Sequence, residues 1–136
     1  MNTQLLQICR ASTLWTAAIM LAGCGGSTSM PHLSGKVTYD GQPVPAGTIM
    51  FAPDTQAGNS GPGSLAVIRN GEYDTRESLG VASGPHVVRI EGFDAVATRD
   101  NPDGMPLFPA YQFHHDLPQS SDTIDFDVPK SNAKQK

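Results

Sequence analysis

The chain has 136 residues, with Lys plus Arg 9 against Asp plus Glu 13 and a formal net charge of −4. It has no basic stripe and no Lys/Arg run interleaved with aromatics, which argues against nucleic acid as a partner and against attraction to anionic headgroups. Gly 14 and Pro 11 of 136 residues make up about 18% of the chain, well above the roughly 12% of an average one, yet without period, so a collagen-like repeat is excluded and a turn-rich domain is expected.

Residues 1–23 read as an export signal. Arg10 closes a short n-region, and Ala11 to Ala22 is apolar. A run of that length suits a signal-peptide core and is too short to span a bilayer, which needs about 20 residues. It ends in Leu21-Ala22-Gly23-Cys24, which resembles the bacterial lipobox. The resemblance implies cleavage between Gly23 and Cys24, a diacylglyceryl group on the Cys24 sulfur, and attachment of the mature chain to a membrane by lipid. Two or more acyl chains anchor stably where one does not. Gly25 stands where inner-membrane lipoproteins often carry Asp, which favours the outer membrane. Cys9 and Cys24 are the chain's two cysteines. With Cys9 removed and Cys24 acylated, no disulfide is possible and the core must hold without one. Residues 24–32 are then a flexible tether.

Period-2 patterning sets in at Leu33. Leu33, Gly35, Val37 and Tyr39 share one face of a first strand, 33–39. Asp40-Gly41 is a tight-turn signal, and Pro43 and Pro45 bar a central strand behind it. Further strands are expected at 47–52, 64–69, 72–75 and 86–93, with Asn70-Gly71 the strongest hairpin signal. Val87, Val88 and Ile90 make 86–93 a central strand. Residues 54–63 read as an exposed loop and 94–120 as a long irregular connection carrying Pro102, Pro106, Pro109 and Pro118. The last strand, 123–128, turns Ile124, Phe126 and Val128 inward and Asp125 and Asp127 to water. Residues 130–136 read as a disordered polar tail. The expected fold is all-β: a single Ig-like β-sandwich of about seven short strands spanning 33–129.

Three stretches resemble a known family. Leu33 to Asp54 looks like the opening of carboxypeptidase regulatory-like (prealbumin-like) domains. Asn70-Gly71-Glu72-Tyr73 is similar to their glycine-aromatic hairpin, and Ser83 to Ile90 to their small-residue turn and following strand. Lipoproteins of this arrangement are abundant in Planctomycetes. The resemblance implies an accessory β-sandwich and carries no zinc-peptidase site. The chain departs from the family pattern at Ala110, at Gly84-Pro85 and at His86.

The candidate chemistry is sparse. His114-His115-Asp116 invites a metal, with His32 or His86 as a further ligand, but neighbours in an extended segment point to opposite sides. Asp94, Asp100, Asp103 and Asp116 invite calcium, yet Asp100 to Gly104 is too short and proline-broken for a calcium loop. There is no nucleophile elbow and no free thiol. Phe108, Tyr111 and Phe113 either pin the long connection to the sandwich or offer a binding surface. The expectation is a non-catalytic, cofactor-free lipoprotein with no metal, making structural, protein or glycan contacts at the cell envelope. Loops 54–63 and 94–120 would be its variable surfaces. The competing expectation is a small-ligand or metal-binding envelope lipoprotein with its site at His114 and His115.

Overall fold

The computed structural model describes residues 29–130. The expected signal segment, the Gly23–Cys24 bond, most of the expected tether and residues 131–136 lie outside the described residues. The elements are β1 (Leu33–Tyr39), β2 (Gln42–Pro43), β3 (Ala46–Pro53), β4 (Ser64–Arg69), β5 (Glu72–Asp74), a 3-10 turn (Thr75–Glu77), β6 (Gly84–Phe93), β7 (Tyr111–Leu117), β8 (Asp122–Thr123) and β9 (Phe126–Val128). No α-helix occurs among the described residues, so the domain is all-β.

The strands follow the path β2-β1-β5-β4-β3-β6-β7, with β8 and β9 both pairing β1 in parallel. The strand β1 changes partners along its length. Ser34 lies between Asp74 and Thr123, whereas Thr38 lies between Pro43 and Asp127. This exchange curls the sheet. It requires glycine at position 35, because a Cβ there would fall on the Ile124 carbonyl. The same carbonyl accepts the Tyr73 hydroxyl at 2.9 Å, and Asp125 accepts the Lys36 amide at 2.7 Å. The expected last strand is therefore two short pieces hinged at Ile124.

The curl carries Phe126 over the inner face of the main sheet. Its ring lies 6.3 Å from Phe51, 5.9 Å from Tyr73 and 5.6 Å from Phe113. Val37, Ile49, Ile68, Val88 and Ile90 are fully buried around these rings. Burial of each such side chain is worth about 1.5–3 kcal/mol, and no disulfide is needed among them. Strand β4 alternates along its length: Ala66 and Ile68 face the core while Leu65 and Val67 face out. Strand β6 is central, between β3 and β7. Asp40-Gly41 and Asn70-Gly71 have positive φ at both turn residues (52° and 73°, 51° and 76°), as the mirror-image hairpin turn demands.

Three expectations need correction. Residues 94–120 are not irregular throughout, because Tyr111 to Leu117 form β7, a full partner of β6. Tyr111, Phe113, His115 and Leu117 face the core while Gln112, His114 and Asp116 face out. Pro31 and His32, expected in the flexible tether, bond to the sheet domain: the Pro31 carbonyl accepts the Val81 amide at 2.8 Å, and the His32 amide bonds the Ser121 hydroxyl at 2.9 Å. Lys130, placed in the tail, pairs with Asp40 at 2.8 Å.

The two long loops lie at opposite ends. Loop 54–63 follows the end of β3, beside the start of β6 and the end of β7, where Met30 and Pro31 also lead into β1. The 94–110 connection follows the end of β6, at the end that also holds the two hairpin turns and Val128. We call these the N-terminal pole and the hairpin pole.

Candidate functional site

The chain's 4 histidines all fall toward the N-terminal pole. There the end of β3, the start of β6 and the end of β7 run side by side, in the register Pro53↔His86 and His86↔His115. Extended backbone separates the adjacent pair as expected. His115 turns inward, edge-on to Phe126 at 5.5 Å and to Phe113 at 6.3 Å. His114 turns outward, and its Nδ1 lies 2.9 Å from Asp54 Oδ2.

Asp54 organises this corner. Its Oδ1 accepts the backbone amides of Gln56 at 3.0 Å and Ala57 at 3.2 Å, and its carbonyl accepts the Asn59 amide at 2.9 Å. Burial pushes the carboxyl upward, but the hydrogen bonds from Ala57, His114 and Gln56 outweigh it and hold the pKa below the ordinary carboxylate value. A buried carboxylate holding one histidine nitrogen fixes the tautomer and aims the other nitrogen, here Nε2, outward. The side chain of His114 is 74% exposed, and Asp54 is its hydrogen-bond partner among the described residues.

His86 is used differently. It is buried, and its Nδ1 lies 2.8 Å from the Gly84 carbonyl. The same Nδ1 lies 3.3 Å from the Asn59 amide nitrogen, and the shorter contact, to a carbonyl that only accepts, is the one a protonated Nδ1 makes. Nε2 is buried with no hydrogen-bond partner among the described residues. Asn59 closes the corner by donating to the Pro85 carbonyl at 2.7 Å and the Ser83 carbonyl at 3.1 Å. His32 sits at the start of β1, held through its own backbone to Ser121 and Asp122. Among the described residues, no three His, Cys, Asp or Glu side chains gather to hold a metal ion.

The acids named as calcium candidates are dispersed. Asp94 spends one oxygen on the amides of Val96 and Met105, both at 2.9 Å. Asp100 and Asp103 are exposed in the same loop, and Asp116 lies at the other pole. The aromatics of the connection pin it down. Phe108 is 8% exposed, packs on Tyr39 at 4.8 Å and lies against Gly92. Tyr111 and Phe113 stack at 5.3 Å on the inner face of β7.

An open groove lies elsewhere, over β1 and β5, lined by Lys36, Arg69 and Arg76 together with Glu72, Asp74 and Asp125. Arg76 bonds Asp74 and holds its carboxyl below the ordinary value. The sequence reading missed Asp54 and Asn59. Pro53-Asp54 does carry a turn signal, but nothing local tells of a partner 60 residues away. Neither a protein-family model nor a curated protein matches this sequence.

Proposed function

We propose that this chain is a non-catalytic lipoprotein, held to a membrane through Cys24, whose prealbumin-like β-sandwich makes structural, protein or glycan contacts at the cell envelope. One observation carries most of the weight. The Leu21-Ala22-Gly23-Cys24 motif stands a few residues before Met30 and Pro31, where the chain packs onto the N-terminal pole. An acyl group at Cys24 therefore keeps that pole within roughly 20–30 Å of the membrane, at about 3.4 Å per extended residue. The hairpin pole then points away from it. The curl of the sheet, with Phe126 closing over Phe51 and Phe113, supports a sandwich. The use of Asp54 and Asp94 to fix loops supports a structural role for these acids.

A second reading, a small-ligand or metal-binding envelope lipoprotein, draws support from the unpartnered His86 Nε2. Zinc or copper titration of wild type against His114→Ala and His115→Ala separates the two. A stoichiometric complex lost in the variants would favour the second. The leading reading is tested by membrane fractionation of wild type against Cys24→Ala. It expects wild type in the membrane fraction and the variant released from it. Equal distribution would overturn it.

A further inference from the structure

Strand β7 ends the sheet path. Its β6 side is fully paired over seven residues, Tyr111 to Leu117. Its other side has no backbone partner among the described residues, because β8 and β9 pair with β1 instead. An unpaired edge of this length is a template for another strand, and natural sheets usually shorten, bulge or cover such edges. Pro109 and Pro118 bound this one without interrupting it.

We infer that β7 is a self-pairing edge, and that a second copy of this chain adds there in antiparallel fashion about a twofold axis at His114. The argument is the complementarity of the strand with itself. Centring on His114 is the register that pairs all seven residues. Tyr111 then faces Leu117 and Phe113 faces His115 on the inner side, joining apolar to apolar and ring to ring. On the outer side Gln112 faces Asp116, twice by symmetry, an amide donor against a carboxylate. Centring one residue either way sets fewer pairs and reaches into a flanking segment at one end. Only His114 meets its own kind, and its ring is held by Asp54, which lies across β6 from the edge. That contact draws the imidazole over the sheet and away from the axis, leaving the backbone edge clear. A twofold contact presents the same patch from both copies, and edge pairing joins two sheets into one continuous sheet.

The test is thiol crosslinking of the full chain in the cell envelope. In this register the two His114 Cβ atoms lie about 5 Å apart, near the about 4 Å of a disulfide. Gln112 and its symmetry mate are four positions out of register, about 13 Å apart. Mild oxidation of His114→Cys should give a disulfide dimer at least about tenfold above Gln112→Cys, Asp116→Cys and wild type, on the distance difference alone. The double variant Gln112→Cys/Asp116→Cys should crosslink like His114→Cys. Wild type, with no substitution to disturb folding, should sediment at twice its monomer mass in detergent. No His114→Cys dimer, equal crosslinking at all three positions, or a monomeric wild type would overturn the inference. Should the anchor reading fail, Cys24 is a free thiol that crosslinks equally in every variant, so the excess of His114→Cys over wild type and the sedimentation of wild type still test the pairing, while the anchor's failure shows in fractionation.

Discussion

Loops 54–63 and 94–110 look alike in sequence, both polar and rich in Gly, Pro, Asn and Asp, but they are held in different ways. Each is organised by one aspartate at its start that accepts backbone amides: Gln56 and Ala57 for Asp54, Val96 and Met105 for Asp94. Asp54 also reaches out of its loop to His114 on β7, so the N-terminal pole is tied across three strands. Asp94 stays within its loop, and the hairpin pole is secured by an aromatic plug, Phe108 on Tyr39. The comparison teaches that an acidic loop in this chain is a folded object with its own internal ligand, the carboxylate's amides. Acid-rich composition alone does not make it a cation site.

The plug gives the largest way to break that contrast. Phe108→Ala should cost about 3 kcal/mol, as Phe truncations in cores do. The loss would be read as a urea midpoint, with amide exchange accelerated in 94–110 and unchanged in 54–63. Gly104→Ala comes next. Gly104 has φ 91°, and a Cβ there would meet the Asp94 carboxylate, so about 1–3 kcal/mol should be lost. The exchange pattern should match that of the Phe108 variant.

Asp54→Asn should lower the melting midpoint by a few degrees at neutral pH and loosen 54–63 and β7 together. Its pH dependence sharpens the point. The folded carboxyl lies below its ordinary 3.8, so its contribution is fully present above that value and is lost as pH falls through the folded pKa. The gap between wild type and Asp54→Asn should therefore close on acidification below about pH 4. A gap that stays constant into strong acid would show that the carboxylate charge is not what holds the loop.

A smaller effect is expected at the hinge between β8 and β9. Tyr73→Phe removes one hydrogen bond to the Ile124 carbonyl and should cost about 1 kcal/mol. Burial, with Asp125, Asp122 and Asp74 nearby, raises the Tyr73 pKa above its ordinary value of 10.0. Its contribution is thus present below pH 10 and lost as pH rises through the folded value. Alkaline unfolding of wild type should be steeper than that of Tyr73→Phe.

Much of the sheet was readable from residues. Leu33 to Tyr39, Ser64 to Arg69 and the two hairpin turns follow from alternation and from Asp-Gly and Asn-Gly, because their information is local. Strand β7 carried the same alternation (Tyr111, Phe113 and His115 against Gln112, His114 and Asp116), but the prolines on either side drew it into a loop. Proline beside a strand limits where it can end and does not forbid it. The break at Ile124 was hidden because it depends on β1 exchanging partners at Gly35, a tertiary event. The Asp54–His114 contact was hidden for the same reason: each residue alone reads as a solvated loop side chain, and only the β3-β6-β7 register brings them together. The separation of His114 from His115 was readable, since it rests on strand geometry alone.

The most direct test of the account is the intact mass of the wild-type protein purified from the membranes of a lipoprotein-competent bacterium. The account predicts a chain beginning at Cys24 and heavier by its acyl groups. A chain that keeps residues 1–23, or begins elsewhere without added mass, would contradict it.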